Sequence, residues 1–524
     1  MKNRPSTAVP AAPAEPVVAR TPRGYLYFTA AVTGAAIMIV EILGAKMLSP
    51  FVGMSHFVWT AQIAVTLVAL ACGYYVGGQM ADRYHKLSKL YWALLAAAAY
   101  LCVTVLICAP VAYWCLDFNL AVGSLLASTI LFFVPLALLA MTGPYLVRMI
   151  TSSVSGVGGN VGRLTSISTL GSFAGTMLIG YLMIPLLPNS MTMYITAMAI
   201  LVVCLGYFVV YERKAAAPVL IAAGIASVAG LWLWQTRHRQ YQFVVELFHG
   251  NSHFGHLQVI DNANHSCRYY LNDNLIQNTY DPESKQSESA FTYMLSAMAR
   301  AYTTNISDVL CIGLGVGIVP MDFARQGARV DVVEINPAVE PVARRFFGLE
   351  PEKLNITFDD ARHFLNRCRK QYDAVALDAF LGDSSPSHLM TREAFESIHR
   401  VLRPGGVLVI NSFSELTEGH DYFASCLSKT LKAVFKGVKL HTQGQGATFF
   451  AAMDRPDPQI LHAPDFTKIH ERARLDTELA FKNVVEASAD RGRVLTDDFN
   501  PLEFYDAKNR EQIRRRLALS AKDM

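Results

Sequence analysis

The chain has 524 residues, of which 52% are hydrophobic and 17% are charged. A soluble domain usually carries about 25% charged residues, so this composition argues against a wholly soluble protein and predicts a membrane-embedded part. The net charge of +4 is small and dispersed, which argues against nucleic acid as a partner. The nine cysteines form no C-x-x-C pair, so neither a zinc site nor a disulfide framework is indicated.

The first half of the chain has the pattern of a transmembrane helical bundle. Residues 1–24 are rich in Pro and Ala and predict a disordered tail. Residues 25–235 then contain apolar runs that are each about long enough to cross a bilayer core as a helix, which takes roughly 20 residues. We place seven spans near 25–47, 57–79, 90–114, 119–142, 164–187, 190–211 and 217–235.

Lys and Arg in the short loops predict how this bundle is oriented in the cell membrane. The tail and the second, fourth and sixth loops carry the cations, whereas the first, third and fifth loops carry none. Because cytoplasmic loops are enriched in Lys and Arg, the tail is expected in the cytoplasm. Seven spans would put the C-terminal half outside, so either one span is miscounted or that half faces outward. The sequence leaves both readings open.

After Trp234 the pattern changes to short strands. YQFVVEL, GHLQVID and CRYYL predict a small β-meander at about 240–280, within a β-rich part that extends over 240–300. From residue 308 onward, strands alternate with helical stretches, which predicts a mostly parallel, doubly wound sheet in residues 301–524. The expected fold is therefore an all-α transmembrane bundle, a small meander and a Rossmann-like α/β domain. Ligands of such sheets bind at the carboxyl ends of the strands.

The first strand of this sheet is followed by a glycine loop, and the second strand ends in an acid. Gly313, Gly315 and Gly317 lack side chains that would keep a ligand away from the backbone and the helix N-terminus. Glu334 follows 21 residues after Gly313, where it can accept hydrogen bonds from ribose hydroxyls. This combination fits either NAD or a sulfonium nucleoside.

The ends of the later strands favour the sulfonium nucleoside. Asp359 and Asp360 close the third strand, where an acid or its neighbouring backbone can hold an adenine amino group, and Asp378 closes the fourth. The turn LRPGG at 402–406 leads into a fifth strand. Four acids without Arg or Lys in the same turns indicate a cationic ligand rather than a phosphate-rich one. For each acid taken alone, a helix N-cap is the alternative.

At this point the sequence resembles the spermidine/spermine synthase family, the polyamine aminopropyltransferases, and in particular the bacterial branch in which a multi-pass membrane segment precedes the synthase domain. The resemblance runs from about Phe248 to Asp454. Its strongest segments, in matching order and spacing, are VLCIGLGVG, VDVVEINPAVEPVARRFFG, FDDARHFL, YDAVALDAF, HLMTREAFESIHRVLRPGGVLVIN and TFFAAMD.

The resemblance implies roles for several residues. The family uses decarboxylated S-adenosylmethionine as co-substrate, without a metal or prosthetic group, and moves its aminopropyl group to an amine. By resemblance Glu334 would bind the ribose, and Asp378 would orient and deprotonate the attacking amine. The remaining donor-binding residues would be Asp359, Asp360, Ala361 and Gln277 together with the three loop glycines. Soluble relatives form dimers or tetramers, so a homo-oligomer is expected.

Three departures from the family pattern affect amine recognition. Val316 stands where the family has an Asp that holds the donor's amino group, and Phe291-Thr292-Tyr293 replaces a Tyr-His-Glu run. A second acid three residues after the catalytic one is Leu381 here. The acids that could restore the negative charge are Asp383, Glu288, Asp497 and Asp498.

The sequence therefore predicts a multi-pass protein of the cell membrane that transfers an aminopropyl group to putrescine or spermidine and releases methylthioadenosine. Its expected partners are small polycationic amines, the nucleoside sulfonium donor and the lipid bilayer. Two alternatives stay open. The first is a methyltransferase that uses intact S-adenosylmethionine, which Val316 favours. The second is a transporter or sensor whose synthase-like domain binds polyamine without turnover.

Overall fold

The computed structural model describes residues 21–53, 56–151, 156–213, 216–237, 244–273, 275–380, 386–417, 420–444, 446–487 and 491–502, with side chains in α7 only as far as Leu231. Two sequence predictions fall outside these ranges. They are the disorder of residues 1–20 and the amine-binding role of Asp383. The remainder of the predicted tail is described, and the first helix already begins at Arg23.

Seven helices make up the N-terminal half. They are α1 (Arg23–Val52), α2 (His56–Tyr84), α3 (Leu87–Cys115), α4 (Leu120–Ile150), α5 (Val157–Leu186), α6 (Asn189–Glu212) and α7 (Ala216–Arg237). Among the described residues, α1 to α6 are long and apolar enough to cross a membrane. The apolar part of α7 whose side chains are described, Ala216–Leu231, is shorter than that. Six helices therefore meet the criterion by length and composition, one fewer than the seven predicted spans, and the backbone of α7 continues beyond its apolar described part to Arg237.

Small residues allow the membrane helices to approach closely. A Cβ on Gly171 would overlap the Ala31 carbonyl oxygen, so α5 and α1 are in backbone contact there. A Cβ on Gly77 would lie 2.7 Å from the Cα of Met141, which brings α2 against α4 in the same way. Helices in lipid gain no hydrophobic driving force from association, so the van der Waals packing that close approach allows stabilises the bundle instead.

The predicted meander is a five-stranded antiparallel sheet. Its strands run in the order β1 (Val244–Ser252), β2 (Gly255–Asn262), β3 (Arg268–Asn272), β4 (Leu275–Asp281) and β5 (Gln286–Ser287). Arg268 joins this sheet to the following domain, because its guanidinium pairs with buried Asp261 at 2.8 Å and donates to the Phe346 carbonyl at 2.7 Å. Asn336 makes a second link by donating to Ser252 Oγ at 3.0 Å.

The C-terminal domain is an eight-stranded sheet with helices on both faces. Its strands are β6 (Asp308–Ile312), β7 (Arg329–Glu334), β8 (Asn355–Phe358), β9 (Tyr372–Leu377), β10 (Leu402–Phe413), β11 (Gly437–Thr442), β12 (Ala447–Met453) and β13 (Val484–Val485). Its helices are α8 (Ala290–Ala301), α9 (Ile318–Arg325), α10 (Val339–Phe347), α11 (Ala361–Arg367), α12 (Arg392–Val401), α13 (Tyr422–Lys432) and α14 (Glu471–Lys482).

The strand order β13-β11-β12-β10-β9-β6-β7-β8 places the site. Strands β6 to β10 are parallel, and the chain winds from β6 toward β8 on one side and to β9 and β10 on the other. The switch point therefore lies beside β6, where the loops after β6 and β9 diverge and leave a crevice. Apolar side chains fill both faces of the sheet. The predicted fold class is confirmed.

Candidate active site

A cavity of about 340 Å³ opens where the carboxyl ends of β6 to β10 meet the meander. The sheet contributes the ends of all five parallel strands to its wall, and the meander contributes residues of β3 and β4. Of the predicted donor-binding and catalytic residues, Gln277, Gly313, Gly315, Glu334, Asp359, Asp360, Ala361 and Asp378 line this single cavity. Gly317 does not belong to its wall.

The glycine loop after β6 has a conformation that glycine favours. Gly313 has φ +100°, and a Cβ there would overlap the carbonyl oxygen of Asp378 on the neighbouring strand. Gly317 adopts the left-handed region just before α9, where a Cβ would meet Leu349. Val316 is 2% exposed and packs into the hydrophobic core, away from the cavity wall. Its side chain is therefore not placed to contact a ligand.

Glu334, at the end of β7, is held by the backbone around it. One carboxylate oxygen accepts from the Leu314 amide and the other from the Asn336 amide, both at 2.8 Å. Burial raises the pKa of Glu334 and outweighs these hydrogen bonds, which lower it. A carboxylate has about four acceptor positions, so further positions are left for hydroxyl donors in the cavity.

Asp360 turns out to be a helix N-cap as well as part of the cavity wall. Its Oδ1 accepts from the amides of Arg362 and His363 at the start of α11. Its Oδ2 lies 3.1 Å from His388 Nε2, and Asp359 Oδ2 lies 2.6 Å from His363 Nδ1. His388 also lines the cavity.

Asp378 follows β9 and lines the cavity. Its amide donates to the Ile312 carbonyl at 2.9 Å, which fixes the loop against β6. Its Oδ1 accepts from Asn411 Nδ2 at 2.9 Å. Burial raises the pKa of Asp378 to about 6, the Asn411 hydrogen bond opposes that rise, and the charge of Glu334 adds to it. A carboxylate with a pKa near neutrality is suited to accepting a proton.

Aromatic and amide side chains also line the cavity. Phe380 and Phe413 lie with ring centroids 5.4 Å apart, and Phe291, from the start of α8, joins them in the wall. The faces of aromatic rings attract cations, and each amide oxygen accepts hydrogen bonds. The other aromatic and amide residues of the wall include Phe254, Tyr270, Asn272 and Asn278.

Of the four acids predicted to bind the amine, the structure describes three, and none of these three lines the cavity. Glu288 pairs with Arg472 at 2.8 Å, because α14 packs beside the end of the meander. Asp497 pairs with Arg362 at 2.7 Å and accepts from Thr391 at 2.6 Å. Asp498 is exposed and also lies outside the wall. The structure therefore places these three acids outside the cavity wall, and their role in amine binding stays a prediction.

Sequence reasoning missed several residues of the site. Asn411 lies near the end of β10, where the rule that ligands contact strand ends could have found it. The aromatic side chains of the wall could not be found in this way, because an aromatic residue in a sequence more often predicts a hydrophobic core position than a ligand contact. Among the described residues, no group of three or more His, Cys, Asp or Glu could hold a metal ion.

Acids at the ends of parallel strands around one cavity define a Rossmann-type domain with a site that is suited to a nucleoside-containing ligand. Residues 288–443 match the sequence profile of the spermine/spermidine synthase domain. The C-terminal part of the chain therefore contains a spermine/spermidine synthase domain, as the sequence resemblance had predicted.

Named relatives match between two fifths and one half of the chain. The chain is 29% identical over 233 residues to a polyamine aminopropyltransferase of Vibrio vulnificus, with 42% of this chain and 77% of that protein covered. It is also 29% identical over 237 residues to an N-terminal histidine N-methyltransferase of Emericella nidulans, with 41% of this chain covered but only 39% of that protein. A probable spermidine synthase structure from Corynebacterium glutamicum aligns at 17% identity with a TM-score of 0.40, covering 49% of this chain and 98% of that one.

Proposed function

We propose that the C-terminal domain transfers the aminopropyl group of decarboxylated S-adenosylmethionine to the amine nitrogen of putrescine or spermidine. The observation that carries this proposal is the cavity in which Glu334, Asp359, Asp360 and Asp378 lie at the ends of adjacent strands. The family match and the relatives that are named polyamine aminopropyltransferase and spermidine synthase support the same reaction.

The proposed donor pose follows from the residues of the wall. Glu334 accepts hydrogen bonds from the ribose hydroxyls, and the Asp359–Ala361 segment holds the adenine. The turn at Gly313 and Gly315 lets the nucleoside lie against the backbone. Gln277, on β4, faces the donor from the side of the meander. The sulfonium then lies near Asp378, where the negative charge stabilises it.

Asp378 is the proposed catalytic residue. A primary amine has a pKa of about 10.4 by analogy with Lys, so it is protonated at neutral pH. It attacks only as the free base. Asp378 attracts the ammonium and accepts its proton. The nitrogen then forms a bond to the propyl carbon while the carbon–sulfur bond breaks. The sulfur keeps the electron pair, so the neutral thioether methylthioadenosine leaves.

A second reaction is favoured by one specific observation. The relative from Emericella nidulans is named as a methyltransferase and matches a similar share of the chain at the same 29% identity. In this alternative the donor is intact S-adenosylmethionine, the acceptor is a nitrogen of a peptide N-terminal histidine, and the leaving group is S-adenosylhomocysteine. The core position of Val316 is compatible with a donor that carries a carboxylate, because no acid at that position faces the cavity to repel it.

Product analysis of the full-length protein in detergent separates the two reactions. Each donor is offered with putrescine, spermidine and a peptide that begins with histidine, and products are read by mass spectrometry. Methylthioadenosine together with an amine heavier by one aminopropyl unit is the expected result. S-adenosylhomocysteine and a methylated peptide would replace the proposal by methyl transfer. Binding of polyamine without any product from either donor would make the domain a sensor or part of a transporter.

We also propose that the chain is a multi-pass protein of the cell membrane in which residues 25–235 are the membrane part, 240–300 the β-rich part and 301–524 the transferase domain. The six long apolar helices support this placement, with mean hydropathies between 1.5 and 2.4. Extraction of cell membranes with alkaline carbonate tests it. The protein should stay in the pellet, and release into the supernatant would contradict membrane spanning.

A further inference from the structure

The helix ends on one side of the bundle carry the Lys and Arg residues. Arg148, in the last turn of α4, pairs with Asp82 near the end of α2 at 2.8 Å. The Tyr145 hydroxyl donates to the Lys86 carbonyl between α2 and α3 at 2.7 Å. These contacts place the helix ends on one face, which we call the cationic face. Its described cations are Arg23, Arg83, Lys86, Lys89, Arg148, Arg163 and Arg213.

The opposite face is built from the links between α1 and α2, α3 and α4, and α5 and α6. Residues 53–56, 116–119 and 187–188 of these links contain no Lys or Arg. Aromatic residues are found instead, with Trp114 and Phe118 5.4 Å apart and Phe51 and Tyr113 5.1 Å apart. We call this the aromatic face. Three Lys or Arg residues of the first 239 positions are closer to the aromatic face in sequence. They are Lys46, inside α1, and Arg237 and Arg239, at and just after the last position of α7.

Helix α7 returns the chain from the cationic face to the aromatic face. It begins at Ala216, just after Arg213, and packs against α6 and α3. Its 22 residues reach about 33 Å at 1.5 Å per residue, which matches a hydrocarbon core of about 30 Å. The contacts of the C-terminal half agree with this path. Strand β1 touches Ile184–Leu186, which is the end of α5 at the aromatic face.

We infer that the transferase domain and its cavity lie on the extracytoplasmic side of the membrane. Cytoplasmic loops are enriched in Lys and Arg, so the cationic face belongs in the cytoplasm and the aromatic face outside. The domain follows α7 and contacts the aromatic face, and it is therefore outside as well. The inference rests on the proposed membrane spanning, not on which group is transferred. Its consequence is that the acceptor is a nitrogen compound present outside the cytoplasm and that the sulfonium donor has to reach the same side.

Cysteine labelling in intact cells tests this orientation. Lys468, whose side chain is 84% exposed on the transferase domain, is replaced in a K468C variant of the full-length chain. Lys86, exposed between α2 and α3, gives the matched variant K86C. Both are built on a background in which Cys72 and Cys368, the native cysteines that are not buried, are replaced by serine. The probe is a membrane-impermeant maleimide, applied before and after the cells are permeabilised.

The expected result is that K468C is labelled to the same extent before and after permeabilisation, whereas K86C is labelled only afterwards. The reverse pattern would overturn the inference, because it would put the domain in the cytoplasm. Labelling of both variants only after permeabilisation would overturn it too. Product formation is measured separately in detergent, so a failure of the proposed reaction leaves the labelling result readable. A failed orientation likewise leaves the reaction testable.

Discussion

Asp373, near the start of β9, and Asp378, just after its end, are carboxylates of one strand in opposite surroundings. Asp373 accepts from Arg403 at 2.9 Å and from the amides of Ser307 and Asp308. Burial by itself would raise the pKa of Asp373, but these hydrogen bonds hold it below its usual value. At the other end burial prevails, and the pKa of Asp378 is raised to about 6.

The same contrast holds for the neighbouring strands. Asp308 opens β6 and is 1% exposed, and it pairs with Arg329 and Arg403 at 2.7 Å and with Lys370 at 3.3 Å. The hydrogen bond from Arg329, followed by those of the other cations, places the pKa of Asp308 far below its usual value. Glu334, at the end of β7, accepts from the Leu314 and Asn336 amides, and burial raises its pKa.

The difference shows how one sheet separates stability from function. At the amino ends of the strands, acids and bases neutralise each other and hold strands together. At the carboxyl ends, the protein keeps carboxylates in a cavity at a cost in folding free energy, which an incoming cation can offset. An acid at one edge is therefore expected to affect unfolding, and an acid at the other edge is expected to affect turnover.

The largest effect is expected for Asp378→Asn. Loss of the general base should lower kcat by about 10²- to 10⁴-fold, as measured by product formation per folded enzyme. The substitution should also raise the unfolding temperature at pH 7. The folded pKa of about 6 lies above the unfolded value of about 3.9, so the ionised carboxylate destabilises the fold once the pH rises through this window.

The matched control for this prediction is Asp373→Asn on the same strand. It should keep kcat within a factor of about two and lower the unfolding temperature, because Arg403 and two amides lose a charged acceptor. Equal losses of kcat in both variants would contradict the division between the two edges of the sheet.

The second prediction concerns stability. Asp308→Asn should lower the free energy of unfolding by about 2 kcal/mol at pH 7. This value is toward the low end for hydrogen bonds to a charged group, because Arg329 and Lys370 are exposed to solvent, which screens the charges. The folded pKa is lowered, so the stabilisation is present above about pH 4 and is lost as the pH falls below it.

Unfolding of the detergent-solubilised protein, followed from pH 7 to about pH 3, measures this effect. The difference between Asp308→Asn and the native protein should shrink at the acidic end of the series. A difference that is independent of pH would show that Asp308 acts through packing and not through its charge.

Much of this arrangement could be predicted from local patterns. Asp378, Glu334 and the glycine loop were found because strand ends on a parallel sheet meet at one edge, so a strand pattern is enough to place them together. The order of bundle, meander and sheet was also predictable, since apolar runs and strand–helix alternation have different periods.

The rest depended on contacts between residues far apart in sequence. Glu288 was expected in the cavity, but it pairs with Arg472, which is 184 positions away in a helix that the family pattern does not cover. The orientation of Val316 is set by a turn of the glycine loop that sequence spacing does not specify. The path of α7 required the contact between β1 and the end of α5. No local pattern reports such pairings.

The third prediction concerns donor binding. Glu334→Gln should weaken binding of methylthioadenosine by about 10- to 100-fold, because a hydrogen bond to a charged group contributes about 1.5–3 kcal/mol. Isothermal titration calorimetry measures this directly. Glu350→Gln is the matched control, since Glu350 pairs with Lys353 at 2.6 Å outside the cavity wall. If Glu334→Gln instead raised only the KM of the amine, the assignment of this end of the cavity to the nucleoside would be wrong.

The smallest effect is expected for Asn411→Ala. Asn411 donates to Asp378 and lowers its pKa, so without this hydrogen bond the pKa should move above about 6. The proton-accepting form of Asp378 is the carboxylate, and kcat/KM should therefore fall on the acidic side of a midpoint that lies at higher pH in the variant. At pH 8 the loss should be about tenfold, the lower end for one hydrogen bond to a charged group. Asn355→Ala, which removes the 3.2 Å hydrogen bond to Asp331 at the opposite edge of the sheet, should leave the midpoint unchanged. An unshifted midpoint in Asn411→Ala, together with a uniform loss of rate, would mean that another group sets the acidic limb and that Asn411 only positions Asp378.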